Sequence, residues 1–279
     1  MVDMEYKIIV DSCCDMTVPL AEKLGVMSVP LTMRLGQKEF TDDDALNLSE
    51  FMAEMKACTE KASSASPSPF SYKEAMESAR NSFVVTLSSQ LSGSYASAVL
   101  GKTHAEENGS DSHVFDSKSA SAGQVLIAVK IRELLSNGIP KDQIISTVNN
   151  FIDNMKTYFV LERYDNLIKN GRLTKITEKI ITVLNIKLVM GSDGKGSIAL
   201  HAKPRGTKQM LEKMVAFIKS SERVTSGASM VISHCNNLPL AKQLASAITQ
   251  HFDFKEIIIV PTRGISSLYA DDKGIIMAF

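Results

Sequence analysis

The chain has no tryptophan, only four cysteines, no excess charge of either sign and no long apolar run. Nothing in it approaches the ~20 apolar residues that a membrane-crossing helix needs. The opening stretch "MVDMEYKIIVDSCCD" carries acidic residues and only a short apolar run, unlike a signal peptide, so the cytoplasm is the expected location. Cys13, Cys14, Cys58 and Cys235 make neither a CxxC pair nor a zinc spacing. They read as small thiols in a reducing compartment, not as a disulfide framework. The histidines at 104, 113, 201, 234 and 251 show no HExxH or comparable ligand spacing, so no metal is expected. With 31 basic and 31 acidic residues, the balance gives no case for nucleic acid or an anionic membrane surface as partner. Walker A, G-x-G-x-x-G and G-x-S-x-G motifs are all missing.

What is present is an alternation of short apolar runs and longer helical patterns. At 279 residues the chain can hold two domains. "YKIIV" (6–10), "FVVTL" (83–87) and "HVFD" (113–116) read as buried strands, and "VMSVPLTMRL" (26–35) as an extended run broken at Pro30. Helices are expected over 19–25, 48–58, from Ser71 with Glu74 as a capping box, from about Gly93, over 122–138 and over 141–156. This pattern predicts an α/β fold with a mostly parallel sheet. Further on, "TKITEKIITVL" (174–184) looks helical, and "IKLVMGSDGKGSIALHAK" (186–203) looks like two strands joined by a Gly-rich hairpin. A helix at 206–220, a strand at 229–233, a helix at 238–250 and strands at 256–260 and 274–279 follow. A boundary near 161 divides an N-terminal α/β domain (1–161) from a smaller C-terminal α/β domain (162–279).

Several strands run directly into hydroxyl-rich turns. Asp11-Ser12 follows the first, Ser88, Ser89, Ser92 and Ser94 follow the second, and Ser117, Ser119 and Ser121 follow the third. The proline-punctuated loop 62–71 adds Ser63, Ser64, Ser66 and Ser68. In parallel α/β sheets ligands bind beyond the strand C-termini, where helix N-termini offer free N–H groups. Hydroxyls and free N–H groups suit a compact anion such as a carboxylate, although serines also cap helices everywhere. Asp11 reads as a cap for the turn that follows it, Asp42-Asp43-Asp44 as a solvated approach to a helix, and His234 as a partly buried polar residue.

"KIIVDSCCDM", "SSASPSPFSYKEAM", "TLSSQLSGSYASA", "FDSKSASAGQ", "YDNLIKNGRL" and "HAKPRGTKQM", in that order along the chain, resemble the motifs of the DegV family. The resemblance implies a two-domain α/β fold holding a long-chain fatty acid, such as palmitate or oleate, in a buried tunnel. It implies a non-catalytic lipid-binding protein with no cofactor beyond that ligand, in some members the binding subunit of a fatty-acid kinase. Carried over residue by residue, the carboxylate falls to Ser64 and Ser92, with Gly93 and Ser89 in the same turn. Arg172 takes the place of the Gly-Gly-Arg arginine, and Arg205 that of the partner-docking arginine. The family's closing Thr-His-x-Gly-Pro-Gly is absent from "PTRGISSLYADDKGIIMAF". Tyr269 stands in the histidine's place when aligned from the C-terminus, and Ser266 when aligned from Pro261. Two other readings remain open at this point: a hydrolase or phosphotransferase working through Ser92 or Asp11, and a binder of another small anion.

Overall fold

The computed structural model describes residues 6–173 and 185–279. The expected helix at 174–184 lies outside them. Strands β1 (Tyr6–Asp11), β2 (Val26–Val29), β6 (Asn81–Thr86) and β7 (Asp111–Asp116) form a four-stranded sheet in the order β2-β1-β6-β7, parallel throughout. Pro30 breaks the extended run as expected. Beyond it β3 (Thr32–Leu35) leaves for a small antiparallel sheet between β4 (Lys38–Thr41) and β5 (Ser63–Ala65).

A second large sheet has six strands in the order β10-β9-β8-β13-β11-β12. Its members are β8 (Thr157–Val160), β9 (Val189–Ser192), β10 (Ile198–Ala202), β11 (Ser229–His234), β12 (Glu256–Pro261) and β13 (Ile275–Ala278). Only β11 and β12 pair in parallel, and β9 and β10 form the expected antiparallel hairpin. Strand β8 ends just before residue 161 yet pairs with β13 and β9, in the sheet built from the C-terminal segment.

Helix α5 (Ala122–Ser136) explains how the two large sheets share one core. Residues 122–128 are all buried, the signature of a helix with apolar neighbours on every side. One face meets Ile8, Val10, Phe83 and Val85 of the parallel sheet, and another meets Val231, Ile276 and Ala278 of the mixed sheet, in a single apolar cluster. Helices α1 (Val18–Leu24) and α6 (Lys141–Asn154) flank it. The outer face of the parallel sheet is covered by α3 (Pro69–Glu77) and α4 (Ser94–Glu106), through Tyr72, Met76, Ala98 and Ala105. On the outer face of the mixed sheet, Met210, Met214 and Ile218 of α8 (Gly206–Ser220) pack beside Ala241, Leu244 and Ile248 of α9 (Leu238–Thr249).

Two local expectations are corrected. The capping residue of α3 is Ser68, not Ser71: its Oγ accepts the Ser71 N–H at 3.1 Å, and Pro69 opens the helix with its φ already fixed. Serine 64, expected in a loop, lies in strand β5 opposite Met33. Three further helices complete the described elements: α2 (Leu48–Ala57), α7 (Asp165–Lys169) and α10 (Gly264–Ala270). The last was not anticipated, and it proves central to the site. No helix among the described residues is long and apolar enough to cross a membrane.

Candidate functional site

A cavity lies where the C-terminal ends of the parallel strands face the mixed sheet. Leu31, Leu87 and Leu91 line it from the first side, Phe159, Leu161 and Ile276 from the second, with Ile198 from the β9–β10 hairpin and Ile265 from α10. The hairpin is tied across it by Ser88 Oγ, which donates to the Gly196 carbonyl at 2.8 Å. Ser64, Ser92, Arg172, Ser266 and Tyr269 are all in the cavity wall. Five residues spread over more than 200 positions of sequence are thus brought to one apolar space.

Three of them interlock. Ser64 Oγ and Tyr269 OH share a hydrogen bond of 2.8 Å. The Arg172 guanidinium carbon lies 5.8 Å from the Tyr269 ring centroid, within cation–π range. Arg172 is aimed by Nε donating to the Leu91 carbonyl at 3.1 Å and Nη1 donating to the Asn170 carbonyl at 2.6 Å. The Asn-Gly turn before it is anchored by Asn170 Nδ2 on the Ala62 carbonyl at 2.9 Å, and Gly171 adopts φ +72°, a conformation that glycine takes without strain. Ser92 lies in the turn before α4, where its Oγ accepts the Ser94 N–H at 3.2 Å and its own proton remains to be donated.

The serine-rich turn between β6 and α4 is therefore both a cap and a cavity wall. What fixes it is Asp11, which has no solvent exposure. Its Oδ2 accepts the Leu87 N–H at 2.7 Å and the Ser94 hydroxyl at 2.6 Å, so one carboxylate oxygen holds both ends of the turn. Oδ1 accepts from Gln124 Nε2 at 2.9 Å and from the Cys13 N–H at 3.2 Å, the latter the expected local cap. Burial pushes the Asp11 pKa up, and the hydrogen bonds from Gln124, Ser94, Leu87 and Cys13 partly offset that rise.

Helix α10, which carries Ser266 and Tyr269, is fixed by two more buried acids. Asp43 and Asp44 are exposed, as a solvated approach to a helix requires, but Asp42 is 1% exposed and the expectation is corrected there. Its carboxylate accepts the Gly264 N–H at 2.9 Å and the Ile265 N–H at 3.0 Å, filling the N-terminus of a helix 222 residues downstream. Asp15, also fully buried, accepts the Arg263 N–H at 2.8 Å and the Ser121 hydroxyl. Desolvation raises its pKa to about 7, against the opposing pull of those hydrogen bonds. The Cys13 and Cys14 thiols are driven well up by burial and by the neighbouring Asp11 and Asp15, which keeps them protonated.

The remaining sequence candidates lie elsewhere. Ser89 is exposed and hydrogen-bonded to Asp116, and Gly93 is an exposed N-cap beside Ser66. Neither belongs to the cavity wall. Arg205 is exposed at the N-cap of α8, where its N–H donates to Gln209 Oε1 at 2.9 Å. His234 is buried at the end of β11, its pKa lowered by desolvation, and its Nδ1 accepts the Asn237 N–H at 3.3 Å. Sequence reasoning missed the roles of Asp15 and Asp42. Nothing local marks them, because their partners are more than 100 residues away.

Fold and site together define an α/β protein of two large sheets and a small third one, with an apolar cavity that has hydroxyl groups and an arginine in its wall. Residues 5–276 match the model of the DegV family, and the chain belongs to that family. A DegV domain-containing protein of Streptococcus gordonii is 36% identical over 280 residues, covering 99% of each chain. A DegV-family protein from Ruminococcus gnavus, whose structure was refined with vaccenic acid, superposes with a TM-score of 0.94 at 40% identity, covering 99% of this chain and 100% of that one. The Streptococcus pneumoniae fatty acid kinase B3 protein loaded with linoleic acid superposes with a TM-score of 0.90 at 32% identity, covering 98% of each.

Proposed function

We propose that this protein binds a long-chain fatty acid, such as palmitate or oleate, with its acyl chain in the cavity and its carboxylate among Ser64, Ser92, Tyr269 and Arg172. The observation that carries the reading is the combination of an apolar cavity with those four polar groups gathered in its wall. A carboxylate there would take donors from hydroxyls and a guanidinium, each charge-assisted bond contributing about 1.5–3 kcal/mol. The chain would add ~0.8 kcal/mol per buried CH₂ before the losses of association. The vaccenic and linoleic acids of the R. gnavus and S. pneumoniae relatives support the same ligand class.

In this reading the fatty acid is presented to a separate, ATP-dependent fatty-acid kinase in the cytoplasm. Kinship with the S. pneumoniae kinase B3 protein supports that role, and Arg205, exposed at the start of α8, is the docking residue. Native mass spectrometry of the freshly purified protein, followed by solvent extraction, tests the ligand. A one-to-one adduct that extracts as a fatty acid is expected. A protein that carries none and takes up neither added palmitate nor oleate would sink the reading. For the docking role, Arg205→Glu is expected to abolish acyl phosphate formation by an added kinase while leaving the palmitate affinity unchanged.

A further inference from the structure

Two hydroxyls of the cavity wall, those of Ser119 and Thr157, have no part in holding a carboxylate at Ser64, Ser92, Tyr269 and Arg172. They are 5% and 8% exposed, so bulk solvent does not serve them. Strand β8 shows how far they lie from the carboxylate groups. Thr157, Phe159 and Leu161 alternate onto the cavity face, while Tyr158 and Val160 join the core on the other side of the sheet. From Thr157 to Leu161 an extended backbone advances about 13 Å. The carboxylate groups gather at the Leu161 end. A Cβ on Gly274 would lie 2.9 Å from Ala270 Cβ and 3.1 Å from Leu161 Cδ2, which puts Leu161 beside the residue that follows Tyr269. With C–C bonds of ~1.5 Å, an extended acyl chain covers the same span in about ten carbons.

At the far end, Ser119 and Thr157 are joined but not saturated. Their hydroxyl oxygens share a hydrogen bond of 2.7 Å, which uses one of the pair's two protons. The other proton has at best the Ala120 carbonyl, 3.5 Å from Ser119 Oγ, at the outer limit of a hydrogen bond. Other serines of this wall are committed elsewhere: Ser121 donates to Asp15, and Ser192 to the Lys118 carbonyl at 3.3 Å. The pair thus offers the cavity a spare proton and unused lone pairs, beyond the apolar stretch of Phe159, Leu161 and Ile276. A plain hydrocarbon tail gains nothing from them. A hydroxyl carried on the tail does, because burying it without a partner costs roughly 10- to 100-fold in affinity.

We propose that Ser119 and Thr157 form a second polar subsite of the cavity, which takes fatty acids hydroxylated in the distal half of the chain. The ligand hydroxyl accepts the spare proton of the pair and donates to a lone pair on Ser119 Oγ or Thr157 Oγ1. The proposal rests on the fatty-acid reading and names a class of ligand within it. It adds one hydrogen-bonding position, ten or more carbons from the carboxylate, to a tunnel that is apolar in between.

The test compares stearate with 12-hydroxystearate on the full-length protein by isothermal titration. Wild type should bind the hydroxylated acid at least as tightly as stearate. In the double variant Ser119→Ala with Thr157→Val both partners of the internal bond become apolar together, which spares the fold an orphaned hydroxyl. The ratio of the two affinities, hydroxystearate over stearate, should then fall about 10-fold. Thr157→Val alone carries the same expectation should the double variant not fold. An unchanged ratio in the folded variant would overturn the subsite. Wild type that binds 12-hydroxystearate more weakly than stearate would overturn it without any variant, and would leave the fatty-acid reading intact. Wild type that binds neither acid would remove that reading and this proposal with it.

Discussion

The serine turn at 87–94 and helix α10 both bring hydroxyls to one cavity, but they are held there by different means. The turn is anchored from the sheet it grows out of: Asp11 ends β1, and β1 is the parallel neighbour of β6. Once that pairing forms, the anchor is already in place. Helix α10 has seven residues, too few to persist alone, and depends on Asp15 and Asp42 for its buried N-terminal N–H groups. In both regions a fully desolvated acid organises the wall, and among the residues that line the cavity are neutral hydroxyls, Arg172 and Lys118, but no acid. Such an arrangement leaves the cavity receptive to an anion, because the negative charge of each acid is spent on backbone and hydroxyl donors behind the wall.

That contrast can be broken by mutation. Asp11→Ala leaves two backbone N–H groups and two side-chain donors without their acceptor, and we expect it to lower stability by about 4 kcal/mol, measured by urea unfolding. Asp42→Ala strips two backbone donors and should fall short of that. An equal or larger loss for Asp42→Ala would show that α10 matters as much to folding as the sheet-borne turn. The paired substitution Ser64→Ala with Ser92→Ala removes two hydroxyls from the cavity wall and should weaken palmitate binding by about 3 kcal/mol, or ~10²-fold, with the fold intact by circular dichroism. Unchanged palmitate affinity in the folded double variant would count against the carboxylate site.

A pH comparison sharpens the difference further. The Asp15 pKa in the folded protein, about 7, lies above its ordinary value, so its contribution to stability is complete below about pH 4 and is lost as pH rises toward 7. Asp15→Asn has no such proton to lose. Between pH 5 and pH 7 the wild type should lose about 2 kcal/mol of stability relative to Asp15→Asn, and parallel pH profiles would refute the raised pKa. The smallest effect is expected from Tyr269→Phe, which deletes the bond to Ser64 but keeps the ring under Arg172. Palmitate binding should weaken by about 1 kcal/mol, read by isothermal titration. A loss as large as that of the double serine variant would place Tyr269 at the centre of the carboxylate site.

Much of the fold was legible because its signals are local. The apolar runs ending in Asp11, Leu87 and Asp116, the break at Pro30 and the hairpin at 193–197 each carry their own turn chemistry within a few residues. Ser64, Ser92 and Arg172 were placed by motifs that keep their order along the chain. Strand β5 escaped notice because three residues of Ser-Ser-Ala look like loop until β3 supplies the ladder. Helix α10 escaped because its cap residues lie far away in the chain. Ser89 and Gly93 share the serine turn with Ser92, but the turn faces them away from the cavity, and sequence adjacency carries no direction.

By itself, then, the sequence determined the alternation of strands and helices, the hydroxyl-rich turns at strand ends and the family resemblance, because periodicity, capping and turn propensity act over a few residues. The tertiary structure alone decided which hydroxyls meet and which acids are buried behind them. Those outcomes depend on where α5 and α10 dock, and the free energy of docking comes from burial and hydrogen bonding between segments that are far apart in the chain.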